Sequence, residues 1–147
     1  MITFDQLRHY QIRGFDALNQ NDKGIVQFHT GAGKTAVMIF NCKKLIEESA
    51  KTVVVVAPRI LLANQLCEEF MEIIGHQNNH VMHVHSGETH YFSTTNSEKI
   101  SLFNGVARAA GESCIIFTTY NSLKKVIDSG IDIDVMYCDE AHNSTRR

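Results

Sequence analysis

Gly31, Gly33, Lys34 and Thr35 stand together in the run His29-Thr30-Gly31-Ala32-Gly33-Lys34-Thr35. Two glycines this close let the backbone curl until several N–H groups point at one centre, which suits a phosphate. A lysine beside them can reach the terminal phosphates of a nucleotide, and the hydroxyl after it can sit on a magnesium ion. The pattern G-x-x-x-x-G-K-[ST] is met except at its first glycine, where Phe28 stands. The plainer alternative is a glycine turn between a strand and a helix. The ordered Gly-Lys-Thr favours a phosphate loop of the Walker A kind, with Gly24-Ile25-Val26-Gln27-Phe28 as the strand before it and a helical pattern opening at Lys34.

A second group, Asp139-Glu140-Ala141-His142, follows an apolar run over 133–138. Adjacent carboxylates at the end of a buried strand are costly unless they meet a cation or do chemistry. Beside a phosphate loop, Asp139 would hold magnesium and Glu140 would position or deprotonate the attacking water. An acidic turn capping a helix that starts near Ala141 is the alternative.

The elements that must position these groups follow from periodicity. Thr3-Phe4-Asp5-Gln6 has the form of a helix-capping box, with a helical pattern through Leu7, Tyr10, Gly14, Ala17 and Leu18. Met38, Ile39, Cys42, Leu45 and Ile46 mark an amphipathic helix after the loop. The valine run over 52–57 has no polar alternation and reads as a strand buried on both faces, stopped by Pro58. Leu62, Leu66, Phe70, Ile73 and Ile74 mark the next helix, which Gly75 ends. Strands are expected at 81–84, 113–118 and 133–138, helices along Ile100, Phe103, Val106, Ala107 and Ala110 and along Leu123, Val126 and Ile127, and an irregular polar stretch over 86–96. Alternating strands and helices imply an α/β fold, a three-layer parallel sheet with helices on both faces. In such sheets ligands bind beyond the carboxyl ends of the strands. No repeat or linker divides the chain, so residues 1–147 read as one domain.

The remaining candidates carry less. Cys42, Cys67, Cys114 and Cys138 are far apart in apolar segments and read as buried thiols in a reducing compartment. His76, His80, His83, His85 and His90 are dense, and His83 and His85 share one face of a strand. Without a cysteine at ligand spacing they read as surface histidines ahead of a zinc site. A net charge of -2 supplies no global basic field, so any nucleic-acid contact must come from local groups. No apolar run is long enough to cross a membrane and the N-terminus lacks a signal-peptide layout, so the expected place is intracellular: cytoplasm, nucleoid or nucleus.

Taken together, these groups resemble motifs I and II of superfamily 2 helicases and translocases, DEAD/DEAH-like. Val56-Ala57-Pro58-Arg59-Ile60-Leu61-Leu62-Ala63-Asn64-Gln65 is similar to motif Ia. Thr118-Thr119-Tyr120-Asn121-Ser122-Leu123 is similar to motif Ib in its T-Y-x-S-L form. Leu7-Arg8-His9-Tyr10-Gln11 resembles the adenine-sensing segment L-R-P-Y-Q, with His9 in place of proline. The nearest branch is the helicase subunits of type I and type III restriction enzymes. The resemblance runs over 7–142 and implies a RecA-like P-loop NTPase lobe that uses ATP and Mg2+.

The resemblance also implies roles. Gln11 would read the adenine edge and Arg8 would lie against the base. Thr30, Gly31, Ala32, Gly33, Lys34 and Thr35 would wrap the phosphates. Thr35 and Asp139 would hold the ion, and Lys34, Asp139 and Glu140 would carry the chemistry. His142 would couple the nucleotide site to the rest of the motor. Pro58, Arg59, Thr118 and Thr119 would face a nucleic-acid backbone, DNA ahead of RNA. Helix N-termini with arginine and hydroxyl groups bind phosphates without reading sequence. The plainer alternatives are a helix start with a solvated arginine and a threonine helix cap.

The resemblance implies a second RecA-like lobe carrying an arginine finger, worth ~10³–10⁵ in rate. That lobe is missing from this sequence. The chain is therefore expected to be the N-terminal lobe of a larger motor, weak as an ATPase alone. The competing class is a non-catalytic lobe that binds nucleotide or nucleic acid and regulates a partner. A small-molecule kinase is a third option, disfavoured by the Asp-Glu-Ala-His tetrad and the T-Y-x-S-L segment.

Overall fold

The structure is a computed structural model that describes residues 24–28, 34–87, 89 and 91–139. The expected N-terminal helix, Arg8, Gln11, Thr30, Gly31, Ala32, Gly33, Glu140 and His142 lie outside the described residues.

Six parallel strands form one sheet: β1 (Gly24–Phe28), β2 (Thr52–Ala57), β3 (Asn79–Val84), β4 (Phe92–Ser93), β5 (Ser113–Thr119) and β6 (Val135–Asp139). Their order across the sheet is β1-β6-β2-β5-β3-β4. The helices are α1 (Lys34–Glu48), α2 (Ile60–Ile74), α3 (Ser97–Ala109) and α4 (Leu123–Asp128).

Side chains along each strand alternate between two cores. Val53, Val55, Ala57, Ile115, Phe117 and Tyr137 pack with Met38, Ile39, Cys42, Leu66 and Phe70 of α1 and α2. Val54, Val56, Ile116, Met136 and Cys138 pack on the other face with Ile100 and Ala107 of α3 and Leu123 and Val126 of α4. The chain thus moves outward from β1 through β2 to β3 with its helices on one face, and back from β4 through β5 to β6 with them on the other. Right-handed crossovers dictate that arrangement in a twisted parallel sheet. Every residue of β2 is buried, so its valines serve both cores at about 1.5–3 kcal/mol each.

The expected end of α2 at Gly75 and an N-cap that was not expected both have chemical reasons. Gly75 adopts φ 85° and its N–H bonds the Met71 carbonyl at 2.9 Å, closing α2. Asn96 caps α3 by accepting the Lys99 N–H at 3.0 Å. Two details depart from expectation. The stretch read as irregular contains β4, a two-residue strand that pairs Met82 with Phe92 and His83 with Ser93. Val106, expected on the apolar stripe of α3, is 60% exposed, and the polar Asn104 is buried in that helix instead. Its Oδ1 accepts the Thr52 hydroxyl at 2.7 Å, which satisfies both groups.

All four cysteines are free and buried, as expected. Burial pushes the thiols of Cys42, Cys67 and Cys114 up to about 12. Among the described residues no helix is long and apolar enough to cross a membrane.

Candidate nucleotide and nucleic-acid site

Parallel strands bring all their carboxyl ends to one edge, and the register fixes what meets there. Phe28 pairs with Asp139 across β1 and β6. The strand that leads into the glycine turn therefore ends beside the strand that leads into the acidic pair. Lys34 opens α1, and Thr35 is half-buried in its first turn. On the next strand, Val56 pairs with Cys138, one residue before Asp139. Ala57 pairs with Thr119, and Val84 pairs with Thr118. Phe28, Ala57, Thr119 and Asp139, the last residues of β1, β2, β5 and β6, thus share one edge.

The residues expected to face a nucleic-acid backbone divide into two kinds. Pro58 is half-buried and Arg59 is exposed. Arg59 is the N-cap of α2 with extended backbone (φ -144°, ψ 157°), and its side chain makes no capping bond. An exposed arginine thus stands at the N-terminus of α2, whose first N–H groups receive no side-chain cap from it. The two threonines are held within the protein. Thr118 is fully buried, and its hydroxyl donates to the Val84 carbonyl at 2.8 Å. The Thr119 hydroxyl accepts the Ser122 N–H at 3.3 Å, a turn-capping bond. Thr119 still borders the cavity beside Arg59 and Thr118 does not. Tyr120 and Leu123 of the same segment are core anchors, 5% and 0% exposed.

A cavity of about 280 Å³ lies at this edge, lined by Pro58, Arg59, His85, Ser86, Thr119 and Ser122 among others. His85 and Ser86 come from the turn after β3; the sequence offered His85 as a surface histidine and gave Ser86 no role. The rule that loops after parallel strands carry ligands could have found them.

His85 is not the surface histidine its setting suggested. His83 and His85 are 0% and 2% exposed. Gly87 N–H donates to His85 Nδ1 at 3.1 Å, so that nitrogen carries no proton. The proton of neutral His85 is on Nε2 and donates to His83 Nδ1 at 3.0 Å. His83 in turn holds its proton on Nε2, for which the described residues offer no acceptor. An unpaired buried donor costs about 1–3 kcal/mol. Burial, helped by the neighbouring His85, pulls the His83 pKa down to about 4, and burial lowers that of His85. Among the described residues no three His, Cys, Asp or Glu side chains group as metal ligands.

The opposite edge holds a separate polar knot. Arg108 donates to Asp134 Oδ2 at 3.2 Å, Thr52 Oγ1 at 3.0 Å and the Ala50 carbonyl at 3.0 Å. Asp134 also accepts the Thr52 N–H at 2.8 Å. This knot ties α3 to the amino ends of β2 and β6.

The family profile of ResIII, type III restriction enzyme, res subunit, matches residues 4–147. The chain belongs to this family. As a ResIII member it carries a helicase-like domain with the RecA-like α/β fold. Among solved structures it is similar to a nuclease-deletion mutant of the type ISP restriction-modification enzyme LlaGI in complex with a DNA substrate mimic. That similarity has a TM-score of 0.66 at 20% identity and covers 97% of this chain and 15% of LlaGI. The ResIII chain thus spans a small part of the length of that enzyme. No curated protein sequence matches it.

Proposed function

We propose that this ResIII domain is the ATP-binding lobe of a DNA-dependent ATPase, a helicase or translocase that couples ATP hydrolysis to movement on DNA. The observation that carries the reading is the pairing of Phe28 with Asp139, by which the strand before the Gly-Lys-Thr segment and the strand before Glu140 end side by side. In this reading Thr30, Gly31, Ala32, Gly33 and Lys34 wrap the phosphates, with Lys34 reaching the terminal ones. Arg8 and Gln11 hold the adenine. A hydroxyl from Thr35 and a carboxylate from Asp139 are hard oxygen donors, the kind and number that magnesium takes from protein beside a nucleotide. Bound there, the ion would neutralise charge developing on the phosphates. Glu140 orients or deprotonates the attacking water. Pro58, Arg59 and Thr119 face the nucleic-acid backbone, and Thr118 holds the turn from within. The LlaGI complex supports DNA ahead of RNA as the partner. A second RecA-like lobe, carrying the arginine finger, completes the motor, in keeping with the small share of LlaGI that this chain spans.

Magnesium-dependent ATP hydrolysis, with and without DNA and RNA, tests this. Turnover is expected to rise with DNA, and Lys34→Ala to lower it about 10²–10³-fold. Glu140→Gln should keep nucleotide binding and lose about 10²–10⁴ in rate. Nucleotide bound through Lys34 without turnover would move this chain to the class of non-catalytic binding lobes. Turnover unaffected by Lys34→Ala would remove the phosphate-loop assignment.

A further inference from the structure

We propose that His83 and His85 are positioning residues that fix the turn after β3 as one wall of the Arg59 cleft; this rests on reading that cleft as a nucleic-acid site. The His83 ring is stacked between Phe117, 5.5 Å away at 27°, and Tyr91, 5.8 Å away at 19°. A phenylalanine would keep both contacts and would bring no unpaired N–H into the core. What histidine adds is an acceptor at Nδ1. That acceptor fixes the proton and the ring plane of His85, whose other nitrogen receives the Gly87 N–H. Ser93 adds a tie from β4, its hydroxyl donating to the His85 carbonyl at 3.2 Å.

The far end of this relay is set against the cationic wall. A Cβ on Gly87 would fall 2.5 Å from Cγ2 of Ile60, the residue after Arg59. The turn is therefore seated on the first residue of α2. His85 and Ser86 border the cleft with Arg59 and Thr119, whereas His83 lies behind them and borders a different cavity. His83 acts on the cleft only through His85.

The test separates this role from packing. DNA affinity is measured by anisotropy with a labelled oligonucleotide, beside thermal unfolding and exchange of the Gly87 amide, for wild type, His83→Phe, His85→Phe, His85→Asn and Arg59→Ala. His83→Phe is expected to melt at or above wild type, exchange its Gly87 amide faster and bind DNA about tenfold more weakly. His85→Phe should fall with it. The Oδ1 of His85→Asn can accept the Gly87 N–H across an Asx turn, so that variant should stay within about threefold of wild type. Wild-type affinity in His83→Phe, or affinity and melting temperature falling together, would overturn the relay alone. Wild type that binds no oligonucleotide would overturn the cleft reading and the relay's role with it. Arg59→Ala that binds like wild type, with His83→Phe weakened, would keep the relay and move the contact off Arg59.

Discussion

Two threonines one residue apart in the chain have different tasks because a strand alternates its faces. Thr118 gives its hydroxyl to the Val84 carbonyl in the sheet, and Thr119 borders the cleft. Thr118→Val is expected to cost about 1 kcal/mol of stability in urea unfolding and to leave DNA affinity unchanged. Arg59→Ala should do the reverse: no change in stability, a uniform loss of affinity across DNA sequences and a salt slope shallower by about one. Equal effects of the two variants on affinity would contradict the division. The spacing of Thr118 and Thr119 was readable in the chain; which of the two buried side chains borders the cleft was not, because that depends on the register with β3.

At the scale of elements, the polar knot around Arg108 does work that no motif announced. Its guanidinium joins α3 to the Ala50 carbonyl and Thr52 at the start of β2 and to Asp134 before β6, two segments far apart in sequence. Removing it takes a charge-assisted donor from the Asp134 carboxylate and from Thr52 Oγ1. Arg108→Ala is expected to lower stability by about 1–3 kcal/mol and leave nucleotide affinity unchanged, since the knot sits at the edge away from the site. Calorimetry beside a nucleotide titration would check both. Helix ends, by contrast, were legible: Gly75 sits at positive φ, where only a residue without Cβ is unstrained.

For the molecule as a whole, the buried histidine pair sets a pH dependence. His83 titrates near 6.5 unfolded and at about 4 folded. Below pH 6.5 the unfolded chain takes up the proton first, so stability is fully present above 6.5 and declines as pH falls toward 4. The slope for one such proton is roughly 1.4 kcal/mol per pH unit. The lowered pKa of His85 acts in the same direction. Urea unfolding between pH 7 and 4.5 should show this slope, and His83→Phe should flatten it; a profile unchanged by that substitution would refute it. A chain of net charge -2 adds little self-repulsion of its own near neutrality.

The five longer strands and the helices between them, the valine strand buried on both faces and the buried thiols followed from the sequence by itself, because each rests on local period or local composition. The tertiary structure decided what depends on neighbours distant in the chain. It inserted β6 between β1 and β2, which is what sets Asp139 beside Phe28. It turned Val106 outward and Asn104 inward, because Thr52 offered the amide a partner. It made a buried relay of two histidines that composition placed at the surface, because Tyr91 and Phe117 close over His83 from segments before and after α3. Periodicity reports which face of an element is apolar; only packing against another element decides which polar groups find partners inside.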